Sequence, residues 1–124
     1  MEIMIKEALK RKRDLDAERR FLQNRIDRKC ASEDSLLQKL ALVEQKLATI
    51  ETWLMLLSDD EVLVIKRHLI DGIDLPRVAV EYRERWGEEF SKTERTIKSY
   101  QRRAIKKIMR FEEEHPSWIN SEAE

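Results

Sequence analysis

The sequence predicts an all-α protein: an N-terminal antiparallel helical hairpin, coiled-coil-like in its apolar spacing, followed by a compact C-terminal group of helices. Three observations support this fold class. The 124 residues include only two Gly and two Pro, so residues that break helices are scarce. Charged residues make up 40% of the chain and apolar residues 41%, as in amphipathic helices. Apolar residues also recur at three-and-four spacing, which is the period of a helix with one buried face.

Residues 1–57 predict two long amphipathic helices joined by a polar turn. The first, at about 2–28, has a weak apolar stripe because charged residues interrupt it at Lys12 and Arg19. The second has a regular apolar seam: Leu36, Leu40, Val43, Leu47, Ile50, Leu54 and Leu57. Two such helices joined by a short turn form an antiparallel hairpin. The seam either joins two copies in a homodimer, which this pattern favours, or completes an intramolecular core.

Three further helices are predicted, and capping signals locate the first two. Ser58 and Glu61 form a capping box, which begins a helix of about 12 residues. That helix ends at Asp71-Gly72, because glycine readily adopts the left-handed conformation of a helix exit. Asp74 caps the next helix, with Leu75-Pro76 in its first turn, where proline is tolerated.

The last of these helices, residues 91–110, is strongly basic. Ser91 and Glu94 predict a capping box at its start. Its apolar stripe comprises Ile97, Tyr100, Ala104, Ile105 and Ile108. Although the whole chain has 25 residues of each charge, this segment has eight cations against one acid: Lys92, Arg95, Lys98, Arg102, Arg103, Lys106, Lys107 and Arg110. Such a helix is suited to entering a DNA groove, although a solvated amphipathic helix that binds nothing has the same pattern.

The order of these elements is that of a helix-turn-helix, and residues 57–110 resemble region four of bacterial sigma factors. The segment Leu57–Glu61 matches the start of that region, and Val78-Ala79 stands where the family has Ile-Ala. The most specific match is the recognition-helix motif, Thr96-Ile97-Lys98-Ser99-Tyr100-Gln101-Arg102-Arg103-Ala104-Ile105-Lys106-Lys107-Ile108. The chain departs from the family at Arg77, where glutamate is usual. It also has a longer connection before the last helix, which is expected to expand the turn through residues 82–90.

A short coiled-coil segment joined to such a domain is similar to small phage-encoded transcription regulators of the ArpU type. The resemblance implies a sequence-specific DNA-binding regulator that acts on double-stranded DNA near promoters, with RNA polymerase as a second partner. The remaining regions of a complete sigma factor have no counterpart in this sequence.

If the basic helix enters the major groove, its N-terminal turns face base edges and its later cations reach phosphates. The residues expected at base edges are Lys92, Thr93, Arg95, Thr96 and Ser99. The residues expected at phosphates are Lys98, Arg102, Arg103 and Lys106. For Arg103 an ion pair with an acid of the preceding helix is the alternative.

The pattern divides the chain into a hairpin over 1–57, a DNA-binding domain over 58–111 and an acidic tail over 112–124. No apolar run approaches the roughly 18 residues that suggest a membrane span, so a cytoplasmic protein is expected. The single Cys30 and two distant His predict no metal site. No cofactor-binding loop or catalytic motif is present, so neither a cofactor nor an enzyme activity is expected.

Two other functions share parts of this pattern. A small-terminase-like packaging protein also combines a helix-turn-helix with oligomerising helices, although such proteins place the DNA-binding part first. An interaction module that binds RNA polymerase or a sigma factor through the leucine seam would need no contact with DNA.

Overall fold

The computed structural model describes residues 1–28, 33–90 and 93–119. Within those residues all regular structure is helical, which confirms the predicted all-α class. The N-terminal part comprises α1 (Glu2–Lys10), α2 (Lys12–Asp27) and α3 (Glu33–Met55). The predicted first helix is therefore two segments that meet at Arg11, whose backbone keeps nearly helical dihedral angles of −85° and −4°.

The break at Arg11 gives the two N-terminal segments different neighbours. Helix α2 packs along α3, and because only residues 28–32 join them the pair is antiparallel, as predicted. The leucine seam is covered from within the chain: Leu36, Leu40, Val43, Leu47 and Ile50 are buried, and Leu54 and Leu57 are half-buried. Contacts within a single chain are therefore enough to bury the seam, which is the alternative in which it completes an intramolecular core.

The C-terminal part follows the predicted order of helices. Helix α4 (Asp59–Val64) continues directly into a π-helical segment (Ile65–Ile70), in which the amide of Asp71 donates to the carbonyl of Lys66, 2.9 Å away and five residues back. Gly72 ends this helix with φ of +73°, the left-handed conformation that glycine adopts readily. Both the exit at Gly72 and the total length of the helix agree with the sequence prediction.

Helix α5 (Leu75–Trp86) and helix α6 (Glu94–Glu114) complete the group. Asp74 caps α5 as predicted, since its carboxylate accepts the amide of Arg77. Helix α5 extends five residues into the expected turn, to Trp86, and a single 3-10 turn (Glu88–Phe90) follows it. The longer connection is thus part helix and part loop.

The predicted cap of the basic helix was wrong. Thr93, not Ser91, caps α6, and its hydroxyl accepts the amide of Thr96 at 3.3 Å. With this start the acidic Glu94 is the first residue of the helix, where a negative charge suits the positive end of the helix dipole. Ser91 and Lys92 themselves lie outside the described residues.

Two apolar cores hold these helices together. A small core lies among α4, α5 and α6 and is formed by Val64, Val78, Tyr82 and Ile97. A larger core joins the leucine seam to the π-helical segment and to the inner face of α6, through Ile65, Leu69, Ile70, Ala104, Ile105 and Ile108. Helix α1 also packs against both the π-helical segment and α6. The hairpin therefore supports the basic helix directly.

Candidate nucleic-acid interface

Helix α6 has an apolar inner face and a cationic outer face. Ile97, Ala104, Ile105 and Ile108 are buried, as the sequence predicts, and Tyr100 is half-buried. On the opposite side five exposed residues follow one another at intervals of three or four positions: Arg95, Ser99, Arg102, Lys106 and Arg110. We call these five residues the outer stripe. At about 1.5 Å per residue it extends roughly 22 Å along the helix, so it offers a continuous polar surface to a long ligand.

Among the residues that the structure describes, the cations of the outer stripe have no acidic partner. Within the described part of the chain, no ion pair involves Arg95, Arg102, Lys106 or Arg110. Lys98, which is exposed beside the stripe, is likewise unpaired there. Exposed cations without internal partners are the groups that can neutralise phosphates at little structural cost.

Two other cations of α6 are already engaged. The Nε–H of Arg103 donates to Oε2 of Glu61 at 2.8 Å, and Nζ of Lys107 donates to Oε1 of the same carboxylate at 2.6 Å. The Glu61 side chain is 0% exposed, whereas those of Arg103 and Lys107 are 52% and 42% exposed. Because Glu61 lies in α4, this cluster joins the first and last helices of the three-helix group. Arg103 therefore makes an ion pair, as the alternative expected, but its partner lies in α4 and not in the preceding helix, α5.

Glu61 also closes the predicted capping box at the start of α4. The amide of Ser58 donates to Oε1 of Glu61 at 2.9 Å, and the amide of Glu61 donates to Oγ of Ser58 at 3.4 Å. Burial opposes ionisation of this carboxyl and is the largest single influence on its pKa. Hydrogen bonds from Lys107, the Ser58 amide, Arg103 and the Ser58 hydroxyl together outweigh burial and lower the pKa of Glu61 to about 2. The carboxylate therefore stays ionised inside the protein, and it raises the pKa of Arg103 in turn.

The lowered pKa of Glu61 predicts a loss of stability in acid. In the unfolded chain this carboxyl titrates near its ordinary value of 4.5, so between pH 4.5 and pH 2 the unfolded state binds more protons. The stabilisation is complete above pH 4.5 and is lost as the pH falls through 2. It amounts to on the order of 3 kcal/mol. Urea unfolding from about pH 6 down to about pH 2 measures it, with Glu61→Gln as the control whose profile should be flatter. Parallel profiles for the two proteins would contradict the assignment.

A second ionic cluster joins the π-helical segment to α5. Arg67 donates to both oxygens of Glu81, at 2.9 and 2.8 Å, and to Asp71 at 2.8 Å. The hydrogen bonds from Arg67 lower the pKa of Glu81. Nearby, Nδ1 of His68 donates to the carbonyl of Ile73 at 2.8 Å, so this histidine has a structural contact across the turn at Gly72. These contacts set the angle at which the turn after Gly72 leads into α5.

Aromatic rings connect α5 to α6. Tyr82 packs against Trp86, with ring centroids 4.5 Å apart, and against Tyr100, 5.9 Å away. The guanidinium of Arg103 lies over the Tyr100 ring at 4.9 Å, which is a cation–π distance. Trp86 is half-buried and packs against the small core. The side chain of Phe90 lies outside the described residues.

The C-terminal end of α6 is anchored to the hairpin. Glu112, which the sequence assigns to an acidic tail, is fully buried and accepts the indole N–H of Trp53 at 2.8 Å. The amide and hydroxyl of Ser117 also donate to Glu112, at 3.1 and 2.8 Å. Helix α6 ends at Glu114, and beyond it Ile119 is buried in the larger core. Residues 112–119 are therefore part of the fold.

The predicted site residues fall into three groups in the structure. Arg95, Ser99, Arg102 and Lys106 share the outer stripe, and Lys98 is exposed beside it. Thr93 and Thr96 lie at the helix start, where their hydroxyls are 3.2 Å apart and Thr93 serves as the cap. Arg103 is bound to Glu61, and Lys92 lies outside the described residues. Sequence reasoning missed the partnership of Glu61 with Lys107, for which the sequence offered no local signal because the two residues are 46 positions apart.

Comparison of the chain with protein-family models, with curated proteins and with solved structures gives no match. In residues 1–28, 33–90 and 93–119, no helix combines the length and the apolar character needed to cross a membrane. Nor does the described part of the chain bring three His, Cys, Asp or Glu side chains together as a metal site would require.

Proposed function

We propose that the chain is a sequence-specific DNA-binding regulator of transcription and that α6 enters the major groove. The outer stripe is the main observation that supports this proposal. It presents four cations and one hydroxyl on the exposed side of a capped helix, with a fifth cation, Lys98, beside it, and within residues 1–28, 33–90 and 93–119 none of the five cations has an acidic partner. A major groove about 12 Å wide admits a helix of this kind, and helices α4 and α5 pack against the opposite side of α6.

The position of each cation along α6 suggests its role. In a helix-turn-helix the first turns of the recognition helix contact base edges, so Arg95 and Ser99 are assigned to base recognition. The fork of an arginine can donate two hydrogen bonds to a guanine edge. The later cations of the stripe are assigned to phosphates. They lie about one to four turns after Arg95 and Ser99, towards the C-terminal end of α6: Arg102, Lys106 and Arg110. The resemblance to sigma region four and to ArpU-type phage regulators supports a role at promoters.

Two partners belong to the same proposal. RNA polymerase is the second partner implied by the resemblance. A homodimer through the N-terminal helices would protect two half-sites about one helical turn of DNA apart, whereas a monomer would protect one site. The length and symmetry of a DNase footprint, together with the mass of the complex, distinguish these two arrangements.

Selection of bound fragments from sheared genomic DNA tests the proposal, with the wild type and Arg95→Ala compared at low and high salt. A specific regulator is expected to retain a sequence motif at high salt, since base contacts persist when phosphate contacts weaken. Arg95→Ala should relax the motif at one base position, at a cost of about 1–3 kcal/mol on the preferred base. Binding that fades with salt and yields no motif would contradict specific recognition.

A further inference from the structure

The seven described cations of α6 are divided between two environments. Arg103 and Lys107 are bound by the buried carboxylate of Glu61, at 2.8 and 2.6 Å. The cations immediately before them in the chain, Arg102 and Lys106, are exposed and unpaired within the described residues. Helical phase causes this division, because successive residues point about 100° apart around the axis. Each arginine or lysine pair thus has one member directed at α4 and one directed at solvent.

Two contacts hold Arg103 in its place. Its Nε–H is bound to Glu61, and its guanidinium lies 4.9 Å from the centroid of the Tyr100 ring. A phosphate that drew Arg103 or Lys107 outward would have to break a charge-assisted hydrogen bond. It would also leave the carboxylate of Glu61 buried with fewer donors, which is strongly unfavourable. Partial exposure alone therefore does not make these two cations available to DNA.

We propose that Glu61 limits the strength of sequence-independent DNA binding at this interface, because it withholds Arg103 and Lys107 from phosphates. This inference rests on the proposed function. A phosphate contact adds affinity for every DNA sequence equally, so each additional one strengthens sequence-independent binding and steepens its salt dependence without adding discrimination between sequences. By holding two of seven cations, Glu61 limits sequence-independent attraction while the outer stripe remains free. Glu61 acts through these cations and does not itself contact DNA.

Two matched pairs of variants test the assignment. Affinity for a short duplex of arbitrary sequence is measured as a function of salt concentration. Arg102→Gln and Lys106→Gln are each expected to reduce the slope of log K against log salt by about 0.9, the value for one phosphate contact. Arg103→Gln and Lys107→Gln remove the same charges from adjacent positions and should leave the slope unchanged.

Glu61→Gln tests the opposite effect, in which two cations are released instead of removed. The amide oxygen of glutamine can still accept the Ser58 amide, but it no longer pairs with two cations. Release of Arg103 and Lys107 should steepen the slope by up to about 1.8 and add a roughly tenfold loss of non-specific affinity between 50 and 200 mM salt. Non-specific binding at low salt should become tighter, which is a change that partial unfolding would not produce.

Two controls separate the release of cations from a change in net charge. Glu113→Gln removes one exposed acid from the same helix and should barely alter the slope. The triple variant Glu61→Gln/Arg103→Gln/Lys107→Gln should return to the wild-type slope. If Glu61→Gln does not fold, the matched pairs still decide the question.

The outcomes distinguish this inference from the proposed function. If all four single variants reduce the slope equally, DNA binding by α6 stands and the role of Glu61 is overturned. If Glu61→Gln folds and binds non-specific DNA no more tightly than Glu113→Gln, that role is overturned as well. If the wild type does not bind DNA, both proposals fail.

Discussion

Replacing Trp53 with alanine is expected to lower the free energy of unfolding by about 3–5 kcal/mol. The side chain is fully buried in α3, so its removal leaves a large cavity where the hairpin meets the end of α6. The change also removes the indole N–H that Glu112 accepts at 2.8 Å, which deprives a fully buried carboxylate of one donor. Urea unfolding followed by circular dichroism measures the loss without relying on tryptophan fluorescence.

Trp53→Phe is the matched control for this prediction. It keeps an aromatic ring in the core but loses the hydrogen bond to Glu112, so a smaller loss of about 1–3 kcal/mol is expected. Equal losses for the two variants would assign the effect to the hydrogen bond alone. A loss below about 1 kcal/mol for Trp53→Ala would contradict full burial of the ring.

The second large effect is expected on DNA binding. The double reversal Arg95→Glu/Arg102→Glu should weaken binding at near-physiological salt by on the order of a hundredfold or more, because it removes two cations from the outer stripe and places two anions beside the phosphates. Both positions are exposed and unpaired within the described residues, so the fold should survive the change. Fluorescence anisotropy with a labelled duplex measures the affinity, and thermal unfolding checks the fold.

Arg13→Glu/Arg20→Glu provides the control for net charge. Both residues are exposed on α2, and the double variant changes the charge of the chain by the same amount as the reversal on α6. If α6 is the interface, the hairpin variant should lose far less affinity. Comparable losses would indicate a long-range effect of net charge, and the outer stripe would then lose its assigned role.

Much of the fold could be predicted from local signals. The capping box at Ser58 and the exit at Gly72 depend on residues a few positions apart, so the sequence specifies them directly. The start of α6 was misplaced because Ser91 and Thr93 are both good capping residues, so the local pattern does not choose between them. The sequence also gives no local sign of the break between α1 and α2 at Arg11, since no glycine or proline is near it.

The contacts between distant segments could not be predicted in the same way. The leucine seam indicates that one side of α3 must be covered, but a second copy and an intramolecular core require the same apolar spacing. Glu112 belongs by composition to an acidic tail, and only its position opposite Trp53 explains its burial. Similarly, the sequence identifies Arg103 and Lys107 as cations without indicating that one carboxylate binds both.

The larger core has a consequence for how this chain can be divided. Ile105 and Ile108 of α6 are buried against the same apolar cluster as the hairpin seam, so α6 has no complete interior of its own. A fragment that begins at Ser58 would expose that face to water, and it is expected to aggregate or unfold before any binding assay could be interpreted. The helix-turn-helix is therefore not a transferable module: grafting it onto another protein would require moving the hairpin with it or redesigning the inner face of α6.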